Sequence, residues 1–235
     1  MTDSALRELA DDPSSRKRFF KMMGGAGAVS AFGVFLAACG DDDDKDTASS
    51  PSTSSTKEPT SSDDDVKGDL EILNYALTLE FLEAEFYKEV IASGIVKDKK
   101  VASIATQFGE TEQQHVDALK ATIKDLGGTP VEAPKTKFQE TIDKGLMTVL
   151  ETAADVENLG AAAYLGQAGN IKNKDVLAAA LAIHTVEARH AAALNQLLGR
   201  GFGGKGGLSG TVPDGAFAKP MDMKAVLAAV KPFLA

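Results

Sequence analysis

The sequence has little of what often marks a function at first sight. Its 235 residues include one cysteine, three histidines, three tyrosines and no tryptophan. A single cysteine cannot form an internal disulfide, which excludes a disulfide-stapled fold. Acidic residues outnumber basic ones by 34 to 25, for a formal charge of −9. Because phosphate binding needs clustered Lys and Arg, we expect no nucleic-acid partner.

The one cysteine follows a segment typical of a secretion signal. Residues 1–38 pass through the basic stretch Ser15-Arg16-Lys17-Arg18-Phe19-Phe20-Lys21 into an uncharged stretch rich in Gly and Ala. A basic region, an apolar region and small residues before a cleavage site are the features of such signals. Leu36-Ala37-Ala38-Cys39 resembles a bacterial lipobox, in which the cysteine is lipidated and becomes the new N-terminus. We therefore predict a signal peptide over 1–38 and a membrane anchor through a lipid on Cys39.

The basic stretch also resembles a twin-arginine export motif. Its residues are Arg16, Lys17, Phe19 and Phe20, with Lys17 in the place of the second arginine. This departure leaves the ordinary secretory route open. An uncleaved membrane anchor is the alternative, although the uncharged stretch is short for a spanning helix of about 20 residues. Either way, the sequence predicts an exported protein that faces the periplasm or the cell exterior.

Residues 39–65 form an acidic, Ser- and Thr-rich segment without apolar periodicity. Such a segment cannot offset the entropy of ordering by burying apolar surface. We predict a disordered tether between the lipid and the folded part. Weak cation binding by its aspartates is the alternative to a plain solvated spacer.

The rest of the chain predicts an all-α fold, because apolar residues recur at three- and four-residue spacing. Asp98 and Asn173 are expected to cap helices, and Thr136 to Gln139 has a capping-box pattern. The first and second helices, like the third and fourth, are joined by short links and must be antiparallel neighbours. The nine-residue link 127–135 can extend about 30 Å, enough for one crossover along the bundle. The four predicted helices cover 67–93, 99–126, 136–168 and 173–198.

The two halves of this bundle repeat a polar pattern. Glu80 is followed seven residues later by Tyr87, and Glu157 by Tyr164. A Glu-x-x-His pair stands on each of the other two helices, at Glu112 and His115 and at Glu187 and His190. A three-residue spacing puts both side chains of a pair on one helix face. A repeat in polar, core-facing residues is harder to obtain by chance than a repeat in leucines.

These six residues predict a metal site. Four carboxylates supply four negative charges, which two divalent ions would balance inside the bundle. One Glu from each of two helices and Glu-x-x-His from each of the other two is the pattern of di-iron and di-manganese bundles. Surface glutamates and solvated histidines are the alternative, and for one Glu-x-x-His alone they would be preferred. The predicted ligands are Glu80, Glu112, His115, Glu157, Glu187 and His190.

Four further residues are predicted to support the ligands rather than to bind metal. Tyr87 and Tyr164 are core aromatics that can donate a hydrogen bond to a ligand carboxylate. Glu83 and His184 each lie one helical turn from a predicted ligand, but glycine takes the matching place in the other half.

The quoted residues also carry a resemblance. Asn74 to Leu77, Glu80 to Tyr87 and Val186 to Ala191 resemble an exported ferritin-like domain family of bacteria that is related to plant desiccation-associated proteins. The glutamate and tyrosine of the first helix are similar to those of bacterioferritin. The resemblance covers about 66–199 and implies a ferritin-like four-helix bundle with a dinuclear metal site. It implies no substrate.

The last residues, 200–235, are predicted to form a Gly-rich loop and a short C-terminal helix that packs on the bundle through Val226, Leu227 and Val230.

Our first functional hypothesis is a lipid-anchored metalloprotein that oxidises ferrous iron or removes peroxide, with O2 or peroxide as the small oxidant and two Fe or Mn ions as the cofactor. The second is a metal-binding protein without turnover, and the third is a metal-free interaction module.

Overall fold

All regular structure in the described part of the chain is helical, as the sequence predicts. This computed structural model describes residues 62–203, 209–212 and 215–235. A 3-10 turn, Lys231–Phe233, ends the chain's regular structure. The α-helices are α1 (Asp63–Ser93), α2 (Lys99–Asp125), α3 (Gln139–Asp143), α4 (Leu146–Ala168), α5 (Lys174–Leu197) and α6 (Met223–Val230).

The predicted signal peptide, Cys39 and nearly all of the predicted tether lie outside the described residues. Where the tether was expected to continue to residue 65, α1 already begins at Asp63. Its first turn holds three aspartates, and negative charge is favourable at a helix N-terminus. The predicted start of this helix was later because apolar spacing gives no information about that electrostatic contribution. Within the described residues, no helix combines the length and the apolar character needed to cross a bilayer.

Two antiparallel hairpins, α1–α2 and α4–α5, make the most extensive contacts of the fold. Gly94 ends α1 in a left-handed conformation, with φ of 62°. Asp98 then caps α2 by accepting hydrogen bonds from the backbone N–H groups of Lys100 and Val101. Asn173 caps α5 in the same way. These predicted caps satisfy helix N–H groups that have no partner within the helix.

The crossover between the hairpins runs lengthwise along α1. Near its start, Val131 N donates to Asn74 Oδ1 at 2.8 Å. Near its end, Thr136 Oγ1 donates to Glu89 Oε1 at 3.1 Å. The two anchors on α1 are separated by about 22 Å at 1.5 Å per residue. The predicted four-helix bundle with one long crossover is confirmed.

The third predicted helix is wrong at its start. A single helix was expected from the capping box at Thr136, but Thr136 forms a bridge with Leu234 instead. Only the short α3 forms next, and Gly145, with φ of 103°, separates it from α4. The reason is Phe138, which is 1% exposed and packs its ring against Phe86 at 5.1 Å. Burying this ring fixes the segment against α1.

The C-terminal segment docks on α4. Met221 N donates to the carbonyl of Ala162 at 3.0 Å, and Val226 and Val230 of α6 are buried. Leu227 remains 40% exposed, so the buried face of α6 is narrower than predicted. The contact with α4 nevertheless places α6 on the bundle.

Gly166→Ala is expected to weaken this docking. A Cβ at Gly166 would overlap the backbone carbonyl of Met221, which must then move. Such overpacking typically costs about 1–3 kcal/mol, to be measured by urea unfolding. Gly169→Ala, at the C-cap of the same helix, is the control, since a Cβ there meets no atom within 4 Å. The docking is refuted if the two variants are equally stable.

The apolar core divides into two clusters. One contains Leu79, Phe86 and Phe108, and the other contains Leu77 and Ile123. Along α2 and α5 the division falls at the predicted ligand positions: Phe108 and Leu194 belong to the first cluster, and Val116 and Ile183 belong to the second. The polar residues of the candidate site therefore lie between two apolar clusters.

Candidate metal centre

A cluster of acidic and histidine side chains is buried in the middle of the bundle. It includes all six predicted ligands and one further glutamate, Glu83. Charged side chains are seldom buried to this extent unless they are paired or bind a metal. The exposed fractions are 0% for Glu80, Glu112, Glu157 and Glu187, 2% for Glu83, 8% for His115 and 7% for His190.

Both imidazoles present Nδ1 to carboxylates, and Glu112 lies between them. His115 Nδ1 lies 2.8 Å from Glu112 Oε2 and 3.2 Å from Glu80 Oε2. His190 Nδ1 lies 2.8 Å from Glu112 Oε1 and 3.2 Å from Glu157 Oε2. On the other side, His115 Nδ1 lies 3.3 Å from Glu187 Oε1. Each histidine therefore contacts acids from more than one helix.

Each of the two tyrosines donates a hydrogen bond to a glutamate of the other hairpin. Tyr87 of α1 donates its hydroxyl hydrogen to Glu157 of α4, and Tyr164 of α4 donates to Glu80 of α1, both at 2.5 Å. Burial is the largest cause that raises the pKa of both phenols well above the ordinary value, and the neighbouring carboxylates raise it further. Both hydroxyl groups therefore keep the hydrogen that they donate. The predicted supporting role of the tyrosines corresponds to this geometry.

The cluster contains two overlapping groups of side chains, each of which could hold a metal ion. Within each of two groups of four residues, the possible ligand atoms lie within 4.8 Å of one another. Glu112 and Glu187 belong to both groups. The first group is Glu80, Glu112, His115 and Glu187, and the second is Glu112, Glu157, Glu187 and His190.

Several oxygens of the cluster lack a hydrogen bond. Among the described residues, no donor with suitable geometry reaches Glu112 Oε1, either carboxylate oxygen of Glu187, or Glu83 Oε2. His190 Nδ1 is close to Glu112 Oε1, but the pair does not have hydrogen-bond geometry. A buried acceptor without a donor is costly, whereas a cation could satisfy several such oxygens. The residues present therefore suit a bound metal.

Without a metal, most acids of the cluster have a raised pKa. Burial and then the charge of Glu112 raise the pKa of Glu157 to about 7. Burial raises the pKa of Glu187 well above its ordinary value, and the neighbouring carboxylates add to this. Glu112 is the exception: burial alone would raise its pKa, but the two histidines lower it to about 2.

Both histidines have a raised pKa, although burial alone would lower it. Burial lowers the pKa of His190, but Glu112 and Glu157 outweigh it and raise the value to about 9. The pKa of His115 is also raised, against its burial, by Glu80, Glu112 and Glu187. In the metal-free protein, Glu112 is thus the anion shared by two imidazolium groups.

Glu83 breaks the symmetry of the two halves. Its position on α1 corresponds to Gly160 on α4, which is why the sequence ranks it below the ligands. A Cβ at Gly160 would lie 2.7 Å from Glu187 Oε2 and 3.0 Å from Glu83 Oε1. The absence of a side chain there provides room for both carboxylates. Burial and then Glu187 raise the pKa of Glu83 well above its ordinary value.

His184 lies apart from the acids. Its Nδ1 is 2.9 Å from the backbone carbonyl of Ala161 on α4. This contact joins the imidazole to the backbone of the facing helix rather than to a ligand carboxylate. We therefore describe His184 as a link within the α4–α5 hairpin.

Phe108 is a residue of the site that sequence analysis missed. Its ring stacks on His190, with centroids 3.7 Å apart and an interplanar angle of 20°. Phe108 stands one turn before Glu112, so the spacing places it on the ligand face of α2. Its partner lies on a different helix, however, and periodicity treats Phe108 as an ordinary core residue.

Comparison with known families agrees with this geometry. The model of a ferritin-like domain matches residues 68–200, more than half of the chain. The chain belongs to the ferritin-like domain family. A search among curated proteins finds no match. The matched region of this ferritin-like protein extends from the first turns of α1 past the end of α5 and includes every residue of the buried cluster.

Tyr164→Phe is expected to weaken metal binding by about 10- to 100-fold, as is typical when a partner that orients a ligand is removed. The ring stays, but Glu80 Oε1 loses the hydrogen bond from the phenol and only the His115 contact to Oε2 remains. Tyr75→Phe is the control, because the Tyr75 hydroxyl is buried without a hydrogen-bond partner. Competitive titration with a metal indicator would measure both. Equal affinities in the two variants would mean that Tyr164 does not orient a ligand.

Proposed function

We propose that this ferritin-like domain binds two divalent ions, iron or manganese, and uses them for oxidative chemistry. Glu80 and His115 would bind one ion, and Glu157 and His190 the other. Glu112 and Glu187 would bridge or chelate both. The observation that carries this proposal is the set of unpartnered oxygens on Glu112 and Glu187, the two residues shared by both groups of possible ligands.

Charge supports the same assignment. Four ligand carboxylates and two divalent ions balance when both imidazoles are neutral. Glu83 would add a fifth negative charge, but its raised pKa keeps it protonated in the metal-free protein. A neutral Glu83 beside Glu187 would leave the balance intact and could donate a hydrogen bond to that ligand.

Two iron or manganese ions held there would supply two electrons, one from each +2 ion, which with two protons suffice to reduce O2 to hydrogen peroxide or hydrogen peroxide to two waters. The chain's own residues would orient the ligands and keep bulk water away from the site. Tyr87 and Tyr164 fix the carboxylates of Glu157 and Glu80, and the buried surroundings exclude bulk water. Continued turnover needs fresh ferrous iron or an external one-electron reductant.

We further propose that the domain is exported and held to a membrane by a lipid on Cys39. This proposal rests on the signal-like residues 1–38, the lipobox Leu36-Ala37-Ala38-Cys39 and the acidic segment that follows. Arg16, Lys17, Phe19 and Phe20 favour the twin-arginine route. Radioactive lipid labelling of the intact chain and of Cys39→Ser, with cell fractionation, would test the anchor. Equal labelling of the two proteins would refute it.

A metal-binding role without turnover is the second candidate. The four ligand glutamates are 0% exposed, and a fully enclosed ion serves stability as readily as chemistry. This alternative predicts bound metal, a large fall in melting temperature on chelation and no consumption of oxidant.

Elemental analysis combined with oxidant consumption separates the two candidates. The chain from residue 40 would be loaded anaerobically with Fe²⁺ or Mn²⁺, and O2 and peroxide consumption would then be followed. About two ions per chain with consumption supports oxidative chemistry. Bound metal without consumption supports the second candidate. Metal-free protein of undiminished stability would refute both.

A further inference from the structure

One cavity of the bundle does not belong to the metal ligands. It has a volume of about 20 Å³ and is lined by residues from α1, α2, α4 and α5. Its lining is apolar apart from the hydroxyl of Tyr87, which is engaged with Glu157. The volume is enough for one very small molecule. A water inside would find few hydrogen-bond partners, so the cavity favours an apolar guest.

The inner wall of the cavity is also the edge of the candidate metal centre. Tyr87 and Phe108 line the cavity. The same Tyr87 donates to Glu157, and the same Phe108 stacks on His190. Their rings meet edge to face, with centroids 6.0 Å apart. Two residues that line the cavity therefore contact two predicted ligands of the same candidate metal position.

The other end of the cavity approaches solvent. Leu197 lines the cavity and is 40% exposed, while Val96 and Val101 are partly exposed. By contrast, Val149 and Ala153 line it from fully buried positions on α4. The cavity thus lies between the surface near the α1–α2 link and the buried acids.

We propose that this cavity is a binding site for molecular oxygen next to the metal centre, so that this route supplies O2, and not peroxide, as an oxidant. The proposal rests on the proposed function, because it names the oxidant of that site. O2 is apolar and loses no hydrogen bonds on leaving water. Hydrogen peroxide has two donors and would leave them unsatisfied against Val, Ala and Phe side chains. The lining therefore discriminates between the two oxidants.

Binding is tested first without any reaction. In the zinc-loaded protein under O2 pressure, paramagnetic O2 is expected to shorten the relaxation times of the Val149, Ala105 and Ala153 methyl groups several-fold. The methyl groups of Ala180 and Ile183 are similarly buried in the other apolar cluster, at 7% and 4% exposed, and serve as the control. Equal relaxation in both sets overturns the proposal, whatever the activity of the iron-loaded protein.

Access is tested with a matched pair of substitutions. Ala105→Leu fills the cavity, while Ala180→Leu makes the same change at similar burial in the other cluster, 7% against 8% exposed. In the iron-loaded protein, only Ala105→Leu is expected to slow the reaction with O2 several-fold. Neither change should alter metal content or the reaction with peroxide more than slightly. A loss of both reactions in Ala105→Leu, or of neither, overturns the proposal.

The two tests keep this proposal apart from the proposed function. Selective methyl relaxation without consumption of O2 or peroxide by the iron-loaded protein supports the binding site and refutes the oxidative function. Rapid O2 consumption with no selective relaxation, unchanged in Ala105→Leu, does the reverse.

Discussion

Glu112→Gln is expected to empty the metal centre and to destabilise the metal-free protein as well. Metal content should fall from about two ions per chain to below about one, because this carboxylate belongs to both groups of possible ligands. In the metal-free protein, Glu112 is the anion that faces His115 and His190 at 2.8 Å. Removing one partner of a buried ion pair typically costs about 3–5 kcal/mol.

A second substitution separates the two effects. Glu187→Gln should also lose metal, yet it should leave the metal-free protein as stable as before or more stable. Both carboxylate oxygens of Glu187 lack a hydrogen bond, and burial and the neighbouring glutamates outweigh His115, 3.3 Å away, in raising the pKa of Glu187. Elemental analysis and thermal unfolding in chelator measure both variants. Glu110→Gln, on the exposed side of α2, is the control for a lost carboxylate. Full metal content in Glu112→Gln would remove the basis of the proposed centre.

Metal should reverse the way in which stability depends on pH. The metal-free protein is expected to lose stability as pH rises from about 4.5 to 9. The pKa of Glu157 is about 7 in the folded state against an ordinary 4.5, so its contribution is complete below 4.5 and is lost as pH rises through 7. The pKa of His190 is about 9 against 6.5, so its contribution is lost between those values. Both changes have the same sign.

Bound metal should prevent this fall in stability with rising pH. The side-chain atoms that coordinate a metal carry no proton, so metal binding strengthens as protons cease to compete for them. We expect the melting temperature in chelator to fall by roughly 5–10 °C between pH 5 and 8, while that in excess Mn²⁺ stays level or rises. Calorimetry at matched ionic strength would measure both curves. Glu157→Gln in chelator should lose the part of the slope below pH 7. A melting temperature in chelator that climbs with pH would contradict the assignment.

The bundle could be predicted because its signals are local or periodic. Asp98 and Asn173 mark helix starts because each side chain accepts hydrogen bonds from backbone N–H groups no more than three residues later. The ligand set could be predicted because Glu-x-x-His occurs twice, at Glu112 and Glu187, and helical geometry turns that spacing into one face. The seven-residue offset likewise places Tyr87 and Tyr164 on the faces of their glutamates. In each case the information lies within about two turns of one helix.

What the sequence did not predict depends on contacts between distant segments. Phe138 interrupts the third helix because its pocket is made by Phe86, 52 residues away in sequence. The burial of Glu83 depends on Gly160 of another helix, and the stacking of Phe108 on His190 joins α2 to α5. No spacing rule within one helix reports such partners. These are also the places where the two halves of the bundle cease to resemble each other.

The pairing of each tyrosine with a glutamate of the other hairpin bears on when the proposed ions could be bound. Neither hairpin alone has a complete group of possible ligands, since the first group takes Glu80, Glu112 and His115 from α1–α2 but Glu187 from α5. The phenol that holds Glu80 also belongs to the second hairpin. We therefore expect metal binding to follow assembly of the hairpins. A chain that crosses the membrane already assembled would carry cytoplasmic metal outward, whereas a chain threaded through as an unfolded polymer would draw on the metal supply of its destination.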